Sequence, residues 1–218
     1  MKIVPISIQN ETFELHPSGA AYWVEKKTLF IADVHLGKVS HFRKHGSAVP
    51  SVVLLENFNK LNEVIQSFGA KRIIFLGDLF HSFSNSEWDF FAHWRMQHRI
   101  EILLISGNHD IIDVHKYEGL GISVCESLVE GGFYYTHHPE EHSEYYNLSG
   151  HIHPGVRLKG MGRLGVSTPC FYVGAKQMIV PAFGVFTGKY IVEPKKGERI
   201  FAIANDEVID VSVFFTKK

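Results

Sequence analysis

The 218-residue chain is 45% hydrophobic and 21% charged, the balance of an ordinary globular domain with room for a substantial core. Its formal net charge of -1 excludes a global field that would gather nucleic acid, and no apolar run approaches the ~18 residues of a membrane span. The start, Met1-Lys2-Ile3-Val4-Pro5, lacks the apolar stretch and small-residue cleavage site of a secretory leader, which predicts a cytoplasmic address.

The elements follow in chain order. Residues 7–27 read as a hairpin: Glu11-Thr12-Phe13-Glu14-Leu15 alternates, Pro17-Ser18-Gly19 turns, and Ala21-Tyr22-Trp23-Val24 returns. Leu29 to Ala32 is a buried strand, followed by Asp33 and His35. Residues 50–68 carry Val53, Leu54, Phe58, Leu61, Val64 and Ile65 at helical spacing, with Pro50-Ser51 as a start and Gly69 as a stop. Arg72 to Leu76 is a second buried strand, ending in Gly77-Asp78. Residues 86–98 read as another amphipathic helix with Trp88, Phe91, Trp94 and Arg95. Glu101 to Ile105 is a third strand, followed by Gly107-Asn108-His109-Asp110; Gly132 to Thr136 is a fourth, followed by His137-His138. After Asn147-Leu148-Ser149 come Gly150-His151-Ile152-His153. Beyond Gly160 the signals are β: Cys170 to Val173, Gln177 to Val180, and Arg199 to Val213. With no long linker or repeat, residues 1–218 read as one domain of two packed sheets with helices outside. Phe75, Phe80, Phe83, Phe90 and Phe91 read as core, and Cys125 and Cys170 as small buried hydrophobes, not as a disulfide framework.

Each polar cluster sits at the carboxyl end of a strand, the edge where ligands bind in open α/β sheets. Taken singly, an Asp after a strand is a helix cap, Gly-Asp is a turn and His-x-His is a surface accident. Five such clusters in this order are hard to explain as capping. Asp, Asn and His form a ligand set for borderline first-row metals, and two such ions about 3.5–4 Å apart clamp a phosphate during in-line displacement. The spacing of two in Asp33/His35, if the segment is extended, points both side chains the same way. A water held between two ions loses its proton near neutral pH and serves as nucleophile, leaving mostly charge stabilisation and positioning to the protein.

Asp-x-His, Gly-Asp, Gly-Asn-His-Asp, a strand-terminal His and Gly-His-x-His together resemble the calcineurin-like metallophosphoesterases, over residues 28–190. The resemblance implies an α/β (α+β) fold: a four-layer αββα sandwich of two mixed β-sheets flanked by helices. It implies that Asp33, His35 and His153 bind one metal, that Asn108, His137 and His151 bind the other, and that Asp78 bridges them. It implies His137 over His138 as the ligand. It further implies that His109 faces the leaving oxygen as general acid or charge stabiliser and that Asp110 orients it. Two divalent ions follow, with Mn²⁺ the first candidate and Zn²⁺ or Fe open.

Basic residues trail the ligand motifs: Lys38, His41, Arg43 and Lys44 after the first, Arg157, Lys159 and Arg163 after the last, then Lys189 and Lys196. On loops around the centre they would form a positive rim for phosphates, with Arg43 and Arg157 the foremost candidates and His81 a possible cleft residue. The phrases Ala32-Asp33-Val34-His35-Leu36-Gly37-Lys38, His41-Phe42-Arg43, Gly77-Asp78-Leu79-Phe80-His81-Ser82 and Pro181-Ala182-Phe183-Gly184 resemble the bacterial ligase-associated DNA-damage-response endonuclease group. That implies a nuclease acting on DNA in repair, alongside a DNA ligase, a helicase and an exonuclease. A phosphodiesterase or phosphatase on a small nucleotide or other phosphoester, and a metal-stabilised non-enzymatic partner, are the competing readings; the intact ligand set and His109 speak against the last.

Overall fold

Residues 1–38, 52–81, 86–159, 165–185 and 187–215 are described by a computed structural model. The first sheet takes its strands in chain order: β1 (Val4–Ile8), β2 (Glu11–Leu15), β3 (Ala21–Trp23), β4 (Thr28–Ile31), β5 (Arg72–Leu76), β6 (Glu101–Ile105) and β7 (Ser123–Cys125). Neighbours are antiparallel as far as β4 and parallel from β4 onward. The parallel strands β4, β5 and β6 are buried along most of both faces and so read as continuous apolar runs, whereas β2 alternates with Phe13 and Leu15 inward.

The second sheet contains β8 (Leu128–Glu130), β9 (Phe133–Tyr135), β10 (Tyr146–Ser149), β11 (Pro154–Lys159), β12 (Gly165–Val173), β13 (Gln177–Ile179), β14 (Tyr190–Ile191), β15 (Arg199–Ala204) and β16 (Glu207–Asp210). Its main path is β14-β11-β12-β13-β10-β9-β8; β15 joins β12 and carries β16 outward. Strands β9, β10 and β13 run parallel, the rest mostly antiparallel. The helices are α1 (Val52–Phe68), α2 (Ser86–Gln97) and α3 (Val114–Gly119), with a 3-10 turn η1 (Ser212–Phe214).

Two mixed sheets therefore face one another. Between them lies a core of Phe13, Trp23, Phe30, Ile74, Leu103, Phe133, Tyr135, Leu148, Phe171 and Phe201. The opposite face of the first sheet packs Leu29, Ile31, Ile73, Phe75 and Leu104 against Phe58, Leu61 and Val64 of α1, Phe91 and Trp94 of α2, and Tyr117 of α3. The outer face of the second sheet is covered more thinly: Val156, Cys170, Ile200 and Ala202 meet Val192, Val211 and Phe215, and among the described residues η1 is the helical element there.

Several expectations change. The short helix α3, N-capped by the Asp113 side chain, carries no long periodic pattern and was not anticipated. Strand β11 was not anticipated either, and it puts Arg157 on a strand paired with Ser167 in β12, not on a loop. Phe75, Phe80 and Phe91 are buried, but Phe90 is 48% exposed, because consecutive helical residues point about 100° apart and Phe91 takes the inward position. Phe83, Arg43, His41, Lys44 and Arg163 lie outside the described residues. Cys170 is buried and Cys125 half-buried, both as free thiols. No helix among the described residues is long and apolar enough to cross a membrane.

Candidate metal centre

The ligand loops begin where β4, β5, β6, β9 and β10 end. Beyond β4 and β5 the ladder continues between the loops themselves: the N–H groups of Asp33, His35 and Leu36 donate to the carbonyls of Gly77, Asp78 and Leu79 at 3.1, 3.0 and 2.9 Å. The Gly150 N–H donates to the His137 carbonyl at 3.1 Å, tying the β9 and β10 loops together. Phe183 and Gly184 donate to the carbonyls of Ala32 and Asp33 at 2.9 and 3.1 Å, so the Pro181–Gly184 segment backs the first ligand loop.

The expected extended geometry does not hold. Asp33, His35, Asp78, His151 and His153 all have positive φ, at 53°, 51°, 51°, 69° and 49°. A side chain in this conformation costs on the order of 1–3 kcal/mol and persists only where the surroundings impose it, as they do at functional sites. The direction of each ligand is thus set by left-handed backbone and loop pairing, not by the alternation of a strand.

The side chains converge in two groups. In one, His153 Nε2 lies 3.3 Å from Asp33 Oδ1 and 3.3 Å from His35 Nε2. In the other, His137 Nε2 lies 3.1 Å from Asn108 Oδ1 and 3.0 Å from His151 Nδ1. Asp78 stands between them, Oδ1 3.5 Å from His137 Nε2 and Oδ2 3.9 Å from His35 Nε2. Sets Asp33/His35/His153, Asp33/Asp78/His137 and His137/His138/His151 each have ligand atoms within metal-binding reach of one another. His137 is buried while His138 is exposed beside His151, at a ring separation of 3.9 Å. The Nδ1–H of His137 donates to the Leu76 carbonyl at 2.9 Å, which leaves Nε2 with its lone pair facing the other donors.

Charge supplies the test of whether a cation fits. Asp33 and Asp78 are 0% and 2% exposed, and among the described residues only imidazoles lie within ion-pair distance of either. Burial, then the Lys38 ammonium and the surrounding histidines, hold His35 down to about 2, so it is neutral at any working pH. Burial first and the neighbouring histidines next also lower His151. Asp33 Oδ1 is buried with no hydrogen-bond partner among the described residues. Two buried carboxylates with no Lys or Arg within ion-pair distance among the described residues call for positive charge, and divalent ions on these oxygens and nitrogens would supply it.

Three glycines make the convergence possible. A Cβ on Gly77 would overlap the His137 ring, one on Gly107 would overlap Asp78, and one on Gly150 would stand 2.7 Å from Asp33 Oδ2. His109 and His81 stack with ring centroids 4.9 Å apart, and lie 5.6 and 5.4 Å from the His35 ring. The His109 backbone N–H donates to Asp78 Oδ1 at 2.9 Å. Asp110 accepts from the N–H groups of Phe80 at 3.1 Å and Gly107 at 2.9 Å, so it holds the His109 loop by its backbone. Burial raises the Asp110 carboxyl to about 6 against these two hydrogen bonds.

Two braces were not anticipated from sequence. Glu87 of α2 is buried and accepts from the Gly37 N–H at 2.5 Å. Asn57 of α1 donates to the Val34 carbonyl at 3.5 Å and accepts from Val185 N–H at 3.3 Å. The available signal was a polar residue on the inward face of each helix. Lys38 lies close enough to Asp33 and Asp78 to feel both, although burial is the larger influence and lowers it.

Comparison with known proteins agrees with this arrangement. Residues 26–176 match the family model "Calcineurin-like phosphoesterase", and the chain belongs to that family. Its members are metal-dependent hydrolases of phosphoesters. The fold is similar to that of the Pseudomonas putida nuclease MPE, at 28% identity and a TM-score of 0.82 over 96% of this chain and 100% of that one. A phosphoesterase from E. coli, Yfce, matches over 85% of this chain and 98% of that one, at 15% identity and a TM-score of 0.45. No curated protein sequence matches the chain significantly.

Proposed function

We propose that residues 1–218 act as a single domain that hydrolyses phosphodiester bonds with two divalent ions, and that its substrate is DNA. The observation that carries the dinuclear reading is the position of Asp78, one oxygen toward His137 and the other toward His35, in the gap between the two ligand groups. Asp33, His35 and His153 would hold one ion, Asn108, His137 and His151 the other, and Asp78 both. When bound, the ions neutralise phosphate charge and acidify water, with Mn²⁺ the first candidate because mixed O and N ligands leave selection to availability.

The chain's own residues do the rest. His35, which burial keeps uncharged, would bind without first losing a proton. His137 is oriented by its Nδ1–H bond to Leu76. His109, which the ligand sets do not require, holds an imidazole N–H for the leaving oxygen, and Asp110 fixes its loop. His81, stacked on His109, lines the same cleft. A nucleic-acid substrate is supported by the 28% identity to a nuclease over nearly the whole of both chains, and DNA over RNA rests on the subfamily resemblance. A role in repair beside a ligase, helicase and exonuclease, in the cytoplasm, rests on the subfamily resemblance. Arg43 and Arg157 remain candidates for phosphate contact; Arg157 is exposed on β11.

The test is a substrate panel on protein stripped with chelator and reloaded with Mn²⁺. Single- and double-stranded DNA and a chromogenic diester are expected to be cleaved only after reloading. Cleavage of an added chromogenic monoester but of neither the diester nor DNA would replace the diesterase reading with a phosphatase, and full activity in chelator would overturn the metal dependence.

A further inference from the structure

A second feature adjoins the centre on its His153 side. A cavity of about 190 Å³ is lined, among the described residues, by His153, Lys60, Lys189, Phe183, Thr187 and Ser18, together with prolines and small residues, and no carboxylate is among the lining residues. Both walls are tied to candidate ligands of one ion. Tyr190 N–H donates to the His153 carbonyl at 3.0 Å and β14 pairs with β11 through Pro154 and Tyr190, which seats Lys189 beside His153. Gly155 makes room for it: a Cβ there would stand 2.9 Å from Lys189 Cβ. The other wall is the Phe183–Gly184 segment, bonded to the Asp33 loop.

Lys60 reaches this wall from α1. Its ammonium donates to the Phe183 carbonyl at 2.5 Å and sits 4.2 Å from the Phe183 ring centroid. An ammonium has three donors, so two remain. Among the described residues no carboxylate is within ion-pair distance of Lys60 or Lys189. Burial lowers Lys60 to about 8, against the more distant Glu56 and Glu63. A half-buried ammonium without an ion partner is costly, and an anion in the cavity would offset that cost. The apolar side of the cavity, from Pro17, Pro154, Pro169 and Phe183, suits a sugar or base.

We propose that this groove is a subsite for the phosphate next to the scissile one in a nucleic-acid strand, with Lys189 and Lys60 as its cations. The proposal rests on the nuclease reading and names where the strand leaves the centre. A small chromogenic diester has no second phosphate to place there.

The test compares kcat/KM on a single-stranded oligonucleotide with kcat/KM on a chromogenic diester, for metal-loaded wild type, Lys189→Ala, Lys189→Glu and Lys60→Met, across a salt series. Lys71→Ala, an exposed residue before β5 at the end of that strand away from the ligand loop, does not line the cavity and serves as control. The DNA-to-diester ratio is expected to fall about tenfold for Lys189→Ala and further for Lys189→Glu, with the salt dependence shallower by about one phosphate contact. Lys60→Met should move the ratio the same way; if that variant does not fold, the surface residue Lys189 decides. DNA cleavage with a ratio within about twofold of wild type for both Lys189 variants overturns the subsite while leaving the nuclease reading intact. Cleavage of the diester without cleavage of DNA overturns both.

Discussion

His137 and His138 are adjacent and chemically identical, yet only the first is buried in the centre. Gly77 leaves open the volume its ring occupies, and the Leu76 carbonyl takes its Nδ1–H. His109 shows the complementary case, a histidine at the centre that is absent from every potential ligand set. The substitution His109→Ala is therefore expected to reduce turnover about 10²–10⁴-fold, the usual contribution of a positioned acid, while both ions stay bound. The loss should shrink on a substrate with an acidic leaving group. Elemental analysis beside the kinetics decides: a variant that loses metal makes His109 a ligand.

At the scale of elements, the helices act on the centre through single polar side chains. Glu87 of α2 holds Gly37, at the end of the loop that carries Asp33 and His35. Removing it with Glu87→Ala leaves a buried N–H without its acceptor, at a cost of about 1–3 kcal/mol. The same change is expected to weaken metal binding, since the loop loses its brace. Phe90→Ala, on the exposed face of the same helix, should stay within about 0.5 kcal/mol of wild type. Denaturant unfolding and metal titration of the two variants test the pair. Equal stability losses would mean that α2 responds to any change and that Glu87 has no special part.

For the whole molecule, the two sheets bring five loops to one edge and concentrate buried titratable groups there. Burial holds His35 down to about 2 and, with Lys60 nearby, His16 to about 4, while both titrate near 6.5 when unfolded. Between those values and 6.5 the unfolded chain binds more protons than the folded one. Stability from these groups is present above pH 6.5 and is lost as pH falls through the window. Asp110, raised to about 6, works the other way between 3.8 and 6, but it is one group against two. Metal-free protein is therefore expected to show a lower Tm at pH 5 than at pH 7.5, by calorimetry in chelator. A Tm that held or rose on acidification would mean that the histidines are not buried neutral in the folded state.

The strands β4, β5 and β6 and the helices α1 and α2 were legible in sequence because unbroken apolar runs and helical periodicity are local signals of burial. Four of the five ligand motifs were legible for the same reason, since they follow such a run; the fifth, Gly150-His151-Ile152-His153, follows only the short Asn147-Leu148-Ser149. What sequence spacing could not supply was direction. Asp33 and His35 reach their positions through left-handed backbone, and His151 and His153, two residues apart, separate toward different groups. Arg157 reads as a loop cation but is held in a strand, because β11 takes its pairing from β12 and β14, not from an apolar alternation of its own. Lys60, Glu87 and Asn57 carry no motif at all. Their positions come from packing α1 and α2 onto the first sheet, and only tertiary contact could place a lone polar side chain of a helix against a loop far away in sequence.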